Sequence, residues 1–209
     1  MITEPSGGAA LAGIRAHDFE HDFRHNCGVA SAAHDRIREL IARLALAPHP
    51  ERGFFVETYR APTGVAAPTH AGPRAASTAI YFLIGPDAPA TFLHRLLSDE
   101  IFHLYEGGPL DILRLHPDGR ADVARLGLDL AADERPQVVV PAGAWFGTEL
   151  APGAPYCLVG CTVAPGFEFG DFALAEGPEL ARRYPDVADR IRRMTRPPPS
   201  GPAGTTEAP

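Results

Sequence analysis

Lysine is missing from this 209-residue chain: all 19 basic residues are arginine. A Schiff-base lysine, a phosphate-loop lysine and an amine nucleophile are therefore excluded. Cysteine is scarce. Cys27, Cys157 and Cys161 are odd in number and sparse, which disfavours a disulfide framework and makes a reducing cytoplasm the expected setting. Long apolar runs are missing too, the longest near Ala79–Ile84 being far too short to span a bilayer. The first residues are acidic and Gly-rich, with no basic stretch and no apolar core, so no signal peptide is expected. Positive charge is outweighed by 26 acidic residues to give a net charge of −7, which argues against nucleic acid or an anionic membrane as a partner.

Hydrophobic residues make up 45% of the chain and charged residues 22%, as in an ordinary globular protein. The length suits one domain with tails. Glycine (21) and proline (22) are abundant, a load that long helices do not carry but a β-rich domain with many turns does. Residues 1–33 read as a flexible extension. Its His17, Asp18, His21, Asp22 and His25 fall at helical spacing, either a metal site or, more simply, a solvated polar face. Residues 34–193 read as the single domain, and the Pro/Gly-rich residues 194–209 as a disordered tail.

Ile37, Leu40, Ile41 and Leu44 recur at helical spacing and predict a helix over Ala33–Leu46, ended by Pro48 and Pro50. Short extended runs separated by turns follow. They are Phe54–Arg60, Ser77–Ile84, Phe92–Leu97, Glu100–Tyr105, Leu110–Leu115, Ala121–Leu126, Gln137–Val140, Trp145–Leu150 and Tyr156–Ala164. Turn signals about every 8–12 residues between short strands point to an antiparallel sandwich or barrel. Gly177–Arg193 reads as a terminal helix with Leu180, Tyr184, Val187 and Ile191 on one side.

Three segments carry a resemblance. They are Pro48–Arg60; Ser77–Leu83 continuing to Phe92–His103; and Pro136–Trp145 with Val159–Phe167 and Phe169–Phe172. Together they resemble the cupin-5 branch of the cupin superfamily, often described as sugar-epimerase-like, over about residues 37–186. The resemblance implies an all-β-dominated fold, a cupin double-stranded β-helix or jelly roll with a few flanking α-helices, built as a homodimer. Cupins of this kind hold a metal with three histidines and a glutamate. His94 and Glu100 match one histidine and the glutamate, while Leu96 and Phe146 stand where two other histidines belong. No cofactor is therefore expected, and His94 and Glu100 are the only motif ligands left for an adventitious divalent metal.

A histidine beside a carboxylate is suited to acid/base work near neutral pH. Sugar epimerases of this fold use a histidine base and a tyrosine acid without metal. The resemblance thus assigns His94 as base, Tyr81 as the nearest phenolic acid and Glu100 as the group that orients His94 or holds a substrate hydroxyl. Packing alone accounts equally for Tyr81, and a core role satisfied by Glu100 for His94. Ser77, Arg95, His103, Gln137, Trp145 and Phe146 are candidate ligand contacts. Strand parity turns Arg95 away from His94 and His103 away from Glu100, which leaves His103 open to a dimer contact, and Trp145 reads as well as packing. Cys161 reads as a small buried strand residue. Three functions compete: a metal-independent isomerase or epimerase acting on a small polar metabolite or sugar derivative, a non-catalytic small-molecule binder, and a metal-dependent oxygenase or decarboxylase.

Overall fold

The computed structural model describes residues 29–196. The apolar stripe of Ile37, Leu40, Ile41 and Leu44 forms α1 (Val29–Leu44). It starts four residues before the predicted boundary and stops at Ala45, which turns into the left-handed region at φ 53°. Strands follow in chain order: β1 (Ala47–Pro48), β2 (Phe54–Arg60), β3 (Gly64–Val65), β4 (Arg74–Ala75), β5 (Thr78–Ile84), β6 (His94–Arg95) and β7 (Asp99–Gly107). Then come β8 (Leu110–Leu115), β9 (Ala121–Leu126), β10 (Gln137–Val140), β11 (Trp145–Leu150), β12 (Cys157–Ala164) and β13 (Ala173–Leu174). Helices α2 (Gly177–Arg183) and α3 (Ala188–Arg193) close the described span.

These strands make two facing antiparallel sheets, ordered β1-β2-β5-β12-β7-β10 and β13-β6-β11-β8-β9, with β3-β4 a separate ribbon. This is a jelly roll. The barrel expected from the sequence is a two-sheet sandwich, because hydrogen bonding does not join the two sheets into one cylinder among the described residues. Alternation along each strand decides which side chains meet between the sheets. Phe82 and Ile84 of β5, Val159 and Cys161 of β12 and Phe102 of β7 face Ile112 of β8 and Phe146 of β11. β12 lies between β5 and β7 and is buried along nearly its whole length, which explains its near-continuous run of small and apolar residues.

Both outer faces gain partial cover. Leu40 and Leu46 pack on Leu83 and Leu158, burying the outer side of the first sheet under α1. Leu180, Tyr184, Ile191 and Met194 cover Leu93, Leu113 and Leu115 on the second sheet. Ile191 and Met194 are fully buried, and each such side chain contributes about 2 kcal/mol. Met194 thus belongs to the fold, one residue beyond the predicted end of the domain. The single terminal helix expected over Gly177–Arg193 is broken at Pro185, which has no N–H to donate and restricts Tyr184 before it. The strand expected over Phe92–Leu97 shrinks to His94–Arg95. Its flanking backbone bonds elsewhere: Phe92 N–H to Glu51, Leu93 N–H to Met194, and the Leu96 carbonyl to Gly143. The acidic and histidine-rich patch at His17–His25 and Cys27 lie outside the described residues. No helix among the described residues is long and apolar enough to cross a membrane.

Candidate functional site

The turn from β1 to β2 starts the site. His49 N–H donates to the Gly53 carbonyl (2.9 Å) and Arg52 N–H to the His49 carbonyl (3.0 Å), folding the chain back on itself. Gly53 takes φ 75°, and a Cβ there would sit 2.8 Å from the Leu83 carbonyl oxygen, so only glycine fits. Arg52 is also left-handed at φ 80°; its guanidinium lies 4.1 Å from the centre of the Phe92 ring and donates to the Ala90 carbonyl (3.3 Å). Those contacts hold an otherwise unfavourable turn. The turn aims Glu51 between the sheets, and the Glu51 carbonyl accepts the Phe92 N–H at 2.9 Å, tying it to the segment that leads into β6.

His94 points inward from β6. Its ring lies against Phe146 (4.1 Å between centres) and stacks on Phe172 (5.2 Å). Nδ1 is 2.7 Å from Glu51 Oε2 and 2.9 Å from the Phe92 carbonyl oxygen. Both neighbours are acceptors, so Nδ1 carries a proton. The N–H aligns with the carbonyl, and Glu51 Oε2 takes the charge of the ring without an aligned hydrogen bond. It is the one buried side-chain nitrogen or oxygen without a hydrogen-bond partner among the described residues. On the other side of Glu51, His49 Nδ1 lies 3.5 Å from Oε1 and accepts the Glu51 N–H at 3.3 Å. One carboxylate therefore stands between two imidazoles.

Burial and charge set the protonation of this group. Burial opposes a charged His94, but the Glu51 carboxylate, helped by Glu100 and the Phe92 carbonyl, outweighs it and raises its pKa above the usual value. His49 goes the other way: burial dominates, Glu51 only partly offsets it, and its pKa is lowered. Glu100, inward on β7, is pushed up to about 7 by burial, against the pull of His94. The Cys161 thiol, on the neighbouring β12, is raised well above the ordinary thiol range by burial and by Glu100, so it is no thiolate nucleophile.

These four groups, His49, Glu51, His94 and Glu100, line a cavity of about 100 Å³. Its roof is the strap after β12. The Phe167 N–H donates to Thr78 Oγ1 (2.9 Å), Arg60 bonds Glu168 (2.7 Å), and Arg74 grips Asp171 through two 2.7 Å bonds. Phe167, Phe169 and Phe172 of that strap line the cavity mouth. A larger open cleft of about 850 Å³ runs past β8 and β9 to α3. Its arginines are spent on its own carboxylates, Arg125 and Arg190 on the buried Asp111 and Arg190 also on Glu149, which reads as structural pairing.

Of the residues singled out in the sequence, His94 and Glu100 line the cavity together. Phe146 packs behind His94. Leu96 and Cys161 line the cavity as well. The expected acid Tyr81 and the other candidate contacts lie elsewhere. Tyr81 corrects the expectation: Phe82 is the inward residue there, and Tyr81 faces α1 with its ring 5.9 Å from Tyr105. Ser77 donates to the Val163 carbonyl (3.1 Å). Arg95 lies 4.7 Å from the centre of the Trp145 ring, and Trp145 packs with the C-terminal helices on the outer face. His103 meets Gln137 (3.3 Å) and Thr162 (3.4 Å) on the outer face of the first sheet. The pairing of His94 with Glu100 is also corrected, since its contact partner is Glu51. Neither Glu51 nor His49 was singled out. The available signal was a His-Pro-Glu pair, preceded by Pro48 and followed by Gly53, in a turn joining two strands.

A metal of the kind the jelly-roll motifs imply does not fit here. Leu96 and Phe146 fill two of the four motif positions and are both buried, which leaves only His94 and Glu100 of the motif ligands. No group of three or more His, Cys, Asp or Glu side chains among the described residues is arranged to hold an ion. Residues 38–175 match the family described as Cupin superfamily (DUF985). The chain belongs to the cupin superfamily. It is similar to the uncharacterized protein YML079W of Saccharomyces cerevisiae, 31% identical over 153 residues, or 68% of this chain and 76% of that protein. Among solved structures, a hypothetical protein from Leishmania major is 34% identical with a TM-score of 0.69, covering 77% of this chain and 98% of that one. Protein SO0799 from Shewanella oneidensis is 37% identical with a TM-score of 0.67, covering 77% and 97%.

Proposed function

We propose that this cupin is a metal-independent acid/base enzyme, isomerase- or epimerase-like, acting on a small polar metabolite. The observation that carries the proposal is the enclosed set of Glu51, His94 and Glu100 in one cavity. Glu51 against it favours the charged form of His94, which suits the ring to serve as the acid rather than the base. Glu100, with its pKa near 7, exists in both forms and serves as the base. Glu100 then takes a proton from a carbon beside a carbonyl, while His94 gives one to the carbonyl oxygen; once the planar enol has turned over in the cavity, Glu100 returns the carbon proton to the other face as the enol O–H gives its proton back to His94, which restores both residues and completes an epimerisation. Burial strengthens both effects, since few waters compete inside the cavity.

Deuterium incorporation into a metabolite library in D2O, followed by NMR, tests this. The wild type is expected to exchange one carbon-bound hydrogen of its substrate. His94→Asn and Glu100→Gln are each expected to lower the rate by at least about 100-fold with the fold intact. Saturable binding without exchange for every ligand would contradict catalysis and leave the binding-module reading, which the same cavity serves. The buried Cys157 and Cys161 are free thiols, in keeping with a reducing cytoplasm as the site of action. We further propose a homodimer. Tyr59, Ala79, Thr162, Ile101 and Val139 are cross-strand partners in one row on the outer face of the first sheet. Tyr59 and Val139 are exposed there.

A further inference from the structure

We infer that the cavity between the sheets receives the ammonium end of a small aliphatic amine, seated against Glu51 and Glu100. This rests on the acid/base reading of the same cavity and names its ligand class. The first support is Glu51 Oε2, buried and without an aligned hydrogen-bond donor, its nearest being His94 Nδ1 at 2.7 Å, although Glu51 is one of the residues lining the cavity. A buried carboxylate oxygen left this way is costly, and a ligand supplying an N–H removes the cost. The second is the balance of donors and acceptors around the cavity. At the rim Glu57 and Glu168 both bond Arg60, the one guanidinium of the lining. Deeper in, Thr78 Oγ1 is already an acceptor for the Phe167 N–H. The remaining side-chain N–H donors of the lining, the ring Nε2–H groups of His49 and His94, are fewer than the oxygens of its four carboxylates, so acceptors are left over.

Charge points the same way. Among the lining residues, Glu51, Glu57 and Glu168 outnumber Arg60 and the His94 ring, so negative charge is already in excess and grows once Glu100 ionises. An ammonium group brings three donors, no acceptor and the missing charge. Phe55, Phe167 and Phe172 line the same space, and aromatic walls favour a cation over an anion. A carboxylate or phosphate would add acceptors to acceptors. A hydroxyl would supply a donor and leave the charge unbalanced. The enclosed volume of about 100 Å³ matches about three water-sized groups, so the buried part of the ligand is short.

Three isosteres separate these cases: n-propylammonium, n-propanol and propionate, titrated into the full chain by calorimetry at pH 7. Propylammonium is expected to bind at least tenfold more tightly than propanol, with no saturable binding of propionate. Glu51→Gln is expected to weaken propylammonium at least tenfold. Glu168→Gln, on a half-exposed side chain whose loss does not threaten folding, is expected to weaken it about threefold. The inference is overturned if propylammonium does not saturate, if propanol or propionate binds as tightly, or if its affinity is unchanged in both variants. The acid/base reading fails separately. Amines that bind without carbon-hydrogen exchange refute catalysis and keep the ligand class, whereas exchange into an anionic metabolite refutes the ligand class and keeps catalysis.

Discussion

Glu100 shows how one side chain ties stability to pH. Its folded pKa of about 7 lies above its ordinary value of 4.5, because burial penalises the carboxylate. Below pH 4.5 the group is protonated folded or unfolded, and its burial carries no charge penalty. Between 4.5 and 7 the folded state holds more protons than the unfolded one, so stability falls as pH rises, and above 7 the loss is complete. The fall is on the order of 3 kcal/mol. Glu100→Gln is expected to remove this falling limb from urea-denaturation midpoints measured across pH 4.5 to 6.5, below the range in which His94 titrates; a wild-type slope surviving there in the variant would contradict the assignment. Glu106 has the opposite sign. Its bonds to Arg36 and Tyr156 hold its pKa at about 2, so its contribution is lost only as pH falls from 4.5 towards 2. At this scale the sequence was partly legible. His94 and Glu100 stood out because a histidine and a glutamate sat at motif spacing. Glu51 did not, because its role depends on a turn that brings it to Phe92 from more than forty residues away.

At the scale of elements, alternation and turn chemistry made most strands readable, and β2, β8, β9, β10 and β11 have the bounds expected. The misreadings have local physical causes. β6 is short because its flanking backbone bonds to loops, which no periodicity records. Tyr81 shares its face of β5 with Leu83, and that face is the one α1 covers, which alternation within one strand does not reveal. The tight element is the β1–β2 turn. Gly53→Ala would force a Cβ against the Leu83 carbonyl and the Phe82 ring at a positive φ. We expect a loss of about 1–3 kcal/mol in urea denaturation, with weakened ligand binding as Glu51 shifts. An unchanged midpoint would show that the turn is less constrained than its geometry indicates.

At the scale of the whole molecule, the fold was legible because two sheets burying alternate residues leave a regular imprint, whereas assembly leaves little. The row from Tyr59 to Val139 is seen only once the register is known. Light scattering at micromolar concentration is expected to give twice the 22.3 kDa chain mass, and Val139→Glu to shift it towards the monomer. A monomeric wild type would contradict the dimer. The central claim is that a buried carboxylate keeps a buried histidine charged inside a cupin cavity whose metal positions have been filled by Leu96 and Phe146. The most direct test is an NMR titration of the His94 ring nitrogens in the wild type and in Glu51→Gln. The account predicts a wild-type His94 pKa above 6.5, with Nδ1 protonated throughout, and a value below 6.5 once Glu51 is neutral and burial acts alone. A wild-type His94 that titrates below 6.5, or one that Glu51→Gln leaves unchanged, would contradict it.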